Sequence, residues 1–235
     1  MKIKLWKKPK NPILIEGFPG FGLVGTIATE FLIDHLKTEQ IGKILFEDMP
    51  AMVAIHENKL VEPLGLFYNK EYNIVILHAI TASSGFEWKL AKAILDLGKQ
   101  LDAKMIISLE GVGSTGLKVS PKTFFYTNDE KKKSILGNIA SPLKEGIIMG
   151  VTGALLLEAE DIPIVCFFAD ATSNLPDSKA AARIIEALDK YLGLKVDYKP
   201  LLQQASKFES KLRNILSQSE KVKEIGERKR LSYVG

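Results

Sequence analysis

The chain has 235 residues, 46% of them hydrophobic, and its 32 basic and 28 acidic side chains leave a formal charge of +4. That length supports one α/β domain with a sizeable core and at most a small appendage. The mixed charge neither demands nor excludes nucleic acid, and no such partner is assigned; no apolar run reaches the 18 residues of a membrane span, and the charged start Met-Lys-Ile-Lys-Leu-Trp-Lys-Lys-Pro lacks the apolar stretch of a secretory signal, so a cytoplasmic protein is expected.

In chain order, residues 12–16 (Pro-Ile-Leu-Ile-Glu) read as a strand. Residues 23–36 read as a helix, with Val24, Ile27, Phe31 and Leu32 near helical spacing. A second strand is expected at 41–46, then a hairpin of two strands, 64–68 and 72–78, turning at Asn69-Lys-Glu71. Residues 87–101 form an amphipathic helix, 105–109 a short apolar strand, and 123–127 a further strand after glycine-rich sequence. A helix at 151–160, a buried strand at 162–168 and a helix at 177–192 complete the series. Apolar strands alternating with amphipathic helices predict an α/β three-layer sandwich: a mostly parallel central sheet, an inserted hairpin and helices on both faces.

After Lys199-Pro200 the character changes. Leu201, Ala205, Phe208, Leu212, Ile215, Ser219 and Val222 are spaced alternately by four and three residues, the seam of a heptad pattern. The chain is therefore divided into an α/β domain, 1–199, and a C-terminal helix with a flexible tail, 200–235. The seam either pairs with a neighbouring helix or packs on its own domain. The basic run Arg228-Lys-Arg230 is either a solvated tail or a means of docking on an acidic partner.

Two copies of G-x-G-x-x-G stand out, Gly20-Phe-Gly22-Leu-Val-Gly25 and Gly111-Val-Gly113-Ser-Thr-Gly116. This hexapeptide binds dinucleotides when it joins a strand directly to a helix, so that free N–H groups point at the pyrophosphate. The first copy begins four residues beyond the strand core and carries Pro19 and Phe21 where a phosphate needs open backbone. Glu47 lies at about the right distance to meet a ribose, which keeps a nucleotide or small-molecule site as the alternative. The second copy is followed by Val119-Ser-Pro121, a poor helix start. The simpler expectation is that Gly17, Pro19, Gly20, Gly22, Gly25, Gly111, Gly113 and Gly116 shape tight turns at strand ends.

Other chemistries find less support. His35, His56 and His78 have no metal-ligand spacing, and Cys166 in Ile-Pro-Ile-Val-Cys-Phe-Phe reads as a buried small hydrophobe. His78 with Ser83 and Ser84 could be drawn as a hydrolase site, but G-x-S-x-G is absent and a serine-capped helix is the simpler reading. Glu110, at the carboxyl end of a central strand, is the best isolated candidate for a polar role; its alternative is to hold the following loop.

Taken together, Glu16-Gly-Phe-Pro-Gly-Phe-Gly-Leu-Val-Gly25, Glu110-Gly-Val-Gly113, Gly150-Val-Thr-Gly-Ala-Leu-Leu and Leu175-Pro-Asp-Ser-Lys-Ala-Ala-Ala182 resemble the proteasome assembly chaperone family in its archaeal and bacterial single-domain form. The resemblance spans residues 10–195. It implies a non-enzymatic α/β sandwich without cofactor or metal, forming homo-oligomers or pairing with a related chaperone subunit. It further implies contact with proteasome α-subunits or the 20S proteasome through the C-terminus, by a hydrophobic-Tyr-any-residue ending. Here Tyr233 is third from the end and follows Ser232, so Leu231, Tyr233, Val234 and the Gly235 carboxylate offer a shifted version of that ending.

Overall fold

The structure is a computed structural model, and it describes residues 1–48, 53–56, 58–81, 84–113, 122–171 and 176–203. The strands are β1 (Lys2–Leu5), β2 (Ile13–Gly17), β3 (Glu39–Leu45), β4 (Ala54–His56), β5 (Lys59–Val61), β6 (Leu64–Asn69), β7 (Ile74–Ala79), β8 (Met105–Gly113), β9 (Thr123–Thr127), β10 (Ser141–Pro142) and β11 (Ile164–Ala171). The helices are α1 (Val24–His35), α2 (Glu87–Gln100), α3 (Glu130–Gly137), α4 (Gly150–Glu158), α5 (Ser178–Leu192) and α6 (Lys199–Gln203).

Nine strands form one mixed sheet in the order β1-β3-β6-β7-β2-β8-β11-β9-β10, with β4 and β5 paired separately. Its centre, β7-β2-β8-β11, is parallel. The β6–β7 hairpin reverses direction on one side, and β9 runs antiparallel to β11 on the other. All eight residues of β11 are buried, as are all six of β7, because helices cover both faces.

Alternation along the strands divides the core in two. Ile15, Ile76, Ile107, Val165 and Phe167 meet α1 and α5 on one face, while Leu14, Val75, Ile106, Cys166 and Phe168 meet α2 and α4 on the other. The helices carry the matching stripes. In α5, Ala181, Ile184, Ile185 and Leu188 are buried; Asp177 caps its start by accepting the Ala180 N–H at 2.9 Å, and Gly193, at φ +68°, ends it in the left-handed conformation.

The sandwich and the inserted hairpin match expectation, with differences of one to three residues at most element ends. Strand β8 is the exception: it continues through Gly113, so Gly111 and Gly113 are strand residues paired with Ala169 and Ala171 rather than a loop. Elements β1, β4, β5, α3 and β10 were not foreseen. Of the serines expected to cap α2, Ser84 does not, since the cap is Phe86 with no side-chain bond; Ser83 lies outside the described residues. Leu201, first of the heptad positions, is buried in the core beneath α5, and the remaining seam and tail positions lie outside the described residues.

Candidate functional site

Strand β2 leads through residues 18–20 and a short 3-10 turn, Phe21–Leu23, into α1. Gly22 (φ +63°) and Leu23 (φ +50°) are both left-handed, a sharp reversal that starts the helix over the end of the sheet. A side chain at Gly17 would overlap the Gly25 carbonyl, one at Gly25 the Leu109 carbonyl, and one at Gly111 the Phe21 carbonyl. At these three positions glycine lets the backbones of β2, α1 and β8 touch.

That packing bears directly on the dinucleotide alternative. The space beside Gly20 holds the Glu110 carboxyl, with Oε1 3.7 Å from where a Gly20 Cβ would stand. A carboxyl there opposes a phosphate. Glu47 is also misplaced for a ribose contact. The strand it follows, β3, is separated from β2 by β6 and β7, three strand spacings or about 14 Å away. Glu47 instead pairs with Lys2 at 2.7 Å on the surface. The second hexapeptide supplies three strand residues, Gly111, Val112 and Gly113, and Gly116 lies outside the described residues.

Glu16 and Glu110 end up on the same face of neighbouring parallel strands. Register pairs Glu16 with Ser108, and Glu110 follows two residues on. Above them sits the first turn of α4, where the hydroxyls of Ser108 and Thr152 are 2.7 Å apart. Burial pushes the Glu16 carboxyl up to about 8; the Ser108 hydroxyl opposes the shift and the charge of Glu110 adds to it. Burial likewise raises Glu110 to about 7, against the stabilising hydroxyl of Thr152. Glu16 Oε1 and Glu110 Oε2 are buried without a hydrogen-bond partner. Glu110 thus meets a helix side chain; the loop after Gly113, which the expected alternative had it holding, lies outside the described residues. Glu16 was read only as part of a motif; the signal for it was a carboxylate closing an apolar strand next to a second such strand.

Beyond Glu110 a cavity of about 540 Å³ opens at the carboxyl ends of β8 and β11, roofed by the segment that joins β10 to α4. This is the end of a parallel sheet at which α/β proteins usually hold ligands. Asp170 of β11 also lines it.

The other candidates are not brought into this site. His78 lies on the α1 face, its Nδ1 2.9 Å from the Thr29 hydroxyl and its Nε2 2.9 Å from the Glu30 carboxylate. Cys166 is fully buried, and burial holds its thiol well above the usual range. Among the described residues, no group of histidine, cysteine and carboxylate side chains is arranged to hold a metal ion, and no helix is long and apolar enough to cross a membrane.

Comparison with known proteins adds to this geometry. The model of the PAC2 family matches residues 14–216. The crystal structure of Pyrococcus furiosus PbaA, described as an archaeal homolog of proteasome-assembly chaperone, is 33% identical, with a TM-score of 0.84 over 94% of this chain and 99% of that one. Pyrococcus furiosus PbaB, at 24% identity and a TM-score of 0.76 over 91% of this chain and 98% of its own, shares the fold. The Methanocaldococcus jannaschii protein MJ0106 is 28% identical over 212 residues, 89% of this chain and 87% of that protein.

Proposed function

The chain belongs to the PAC2 family, and on that premise we propose that it is a cytoplasmic proteasome-assembly chaperone-like or proteasome-binding factor that acts by protein contact rather than catalysis. The observation that carries this reading is the likeness to PbaA, which extends through nearly the whole of both chains rather than through isolated motifs. Supporting it, two of the side chains that could serve as nucleophile or base are held structurally: Cys166 is sealed in the core and His78 lies between Thr29 and Glu30. Large apolar side chains lie at the surface instead, among them Ile147 (89% exposed), Leu157 (75%) and Ile55 (66%), where contact with another chain removes them from water.

In this proposal the protein is a homo-oligomer, alone or with a related chaperone subunit. The heptad positions from Ala205 to Val222 pair between copies, and Leu231, Tyr233, Val234 and Gly235 engage proteasome α-subunits. Several weak tails on one scaffold raise avidity without any new contact. Native mass spectrometry of the protein with purified proteasome α-subunits, with and without β-subunits, tests it. A complex with α-subunits is expected; none under either condition would sink the idea.

A further inference from the structure

The helices that cover the sheet differ in what they turn outward. Helix α1 exposes Asp34, α2 exposes Lys92 and Asp96, and α5 exposes Lys179 and Lys190. Helix α4 has no such charged face. From Gly146 to Leu157 the chain carries no charge, and its one polar side chain, Thr152, is turned inward to Ser108. A helix apolar on every side is normally covered on every side. Leu157 and Ile147 are nonetheless among the most exposed apolar side chains, and Met149, at the start of the helix, is 67% exposed.

The remainder of this chain does not begin near that face. Helix α6 ends at Gln203 with Leu201 in the core beneath α5, and α5 lies across the sheet from α4. The face is instead complementary to itself. Met149 and Leu157 stand four residues either side of Gly153, which has no side chain. Two such helices laid antiparallel about Gly153 bring Met149 of each against Leu157 of the other, a contact closed by two-fold symmetry. The charges suit the same arrangement. Glu158, Glu160 and Asp161 are exposed at the carboxyl end of α4, so parallel helices would set three acids against three. Antiparallel helices bring them to the positive end of the partner helix, near the exposed Lys144.

We propose that the outer face of α4 is a two-fold contact between copies of this chain, the helices antiparallel and crossing at Gly153. The contact presupposes the homo-oligomer proposed above and adds to it a surface separate from the heptad positions. Ile147, Met149 and Leu157 bare on the order of 450 Å² per copy, so two copies hide about 900 Å² through them alone, and the partly exposed Leu156 and Ala159 raise the contact towards the roughly 1,000 Å² of a specific interface.

The test uses the full chain. Met149→Cys and Leu157→Cys are made singly; the native Cys166 is buried, so only the introduced thiols react. With a short bismaleimide, a mixture of the two variants, exchanged by dilution and reconcentration, should yield a covalent dimer, and either variant alone should not. Met149→Glu or Leu157→Lys should raise the concentration at which the assembly half-dissociates in sedimentation at least about tenfold. Both together should recover part of that loss, because each new charge faces its opposite across the contact, while within one chain the two positions lie about 12 Å apart along the helix. An assembly that stays intact but gives no mixed dimer, a dimer from either cysteine variant alone, single charges without effect, or no recovery in the double variant would each overturn the α4 contact and leave the homo-oligomer reading standing. A chain monomeric at every concentration would overturn both. The complex with α-subunits is scored separately, by native mass spectrometry.

Discussion

Ser108 Oγ and Thr152 Oγ1, 2.7 Å apart, join the middle of β8 to the first turn of α4 and stand between two buried carboxyls. Both residues are buried, and each hydroxyl has a carboxyl on its other side, Glu16 next to Ser108 and Glu110 next to Thr152. The four groups therefore act as one polar string across the sheet–helix boundary.

Cutting the string in the middle should expose its coupling. Thr152→Val keeps the shape of the side chain but leaves Ser108 and Glu110 short of a partner, and should cost about 1–3 kcal/mol in urea denaturation. Adding Ser108→Ala should cost less than the sum of the single changes. Strict additivity would show that the two hydroxyls do not cooperate.

Stability should fall as pH rises from 5 to 7.5. The Glu16 carboxyl, raised from 4.5 to about 8 by burial, keeps its proton in the folded chain over a range where the unfolded chain has lost it. The folded state then binds more protons, so each step upward in pH favours unfolding, by on the order of 3 kcal/mol across that interval for Glu16 alone. Glu110, raised to about 7, acts in the same direction. Glu16→Gln should flatten the profile and raise the melting temperature most at the alkaline end. An unchanged profile would place the pH dependence elsewhere.

The glycines should separate into two kinds. Gly25→Ala forces a methyl group into the Leu109 carbonyl, and overpacking of backbone on backbone should cost about 3 kcal/mol or prevent folding. Gly137→Ala, in α3 with nothing within 4 Å, should be neutral or stabilise by up to about 1 kcal/mol through helix propensity. Thermal melts of the two variants would decide this; a harmless Gly25→Ala would contradict the close approach of α1 and β8.

Removing residues 231–235 should abolish or greatly weaken the complex with α-subunits while leaving the melting temperature of the domain unchanged. Binding that survives the truncation in native mass spectrometry would assign the contact to another surface.

Much of the fold was legible because its signals are local. The apolar runs of β2, β7, β8 and β11 and the stripe of α5 each report their own element. The elements that escaped lack such a stripe. Strand β1 is half charged and gains its place only by pairing with β3, and α3 buries only Leu136. For α3 a signal was present in Asp129, which accepts the Lys131 N–H at 3.0 Å as a helix cap. Glu110 could be picked out as a candidate from its position alone. Its companions could not, since Glu16, Thr152 and Asp170 reach it through strand order and the docking of α4, which no short window of sequence encodes. The first hexapeptide was ambiguous for the same reason: its spacing is that of a phosphate loop, but what lies opposite Gly20 and Gly25 is Glu110 and the Leu109 carbonyl of β8.

The contact of Gly17, Gly25 and Gly111 has a consequence for how this scaffold can diversify. Close by Glu110 the sheet end is built from touching main chain, so substitutions there have no side-chain space to occupy and registers there tolerate no slippage. Within the roof, residues 144–147 are exposed and can change chemistry without disturbing the sheet, while Leu143 and Ile148 at its ends hold it to the core. Relatives with different ligands or partners would therefore be expected to share an almost unalterable base and to differ in this one adjustable segment.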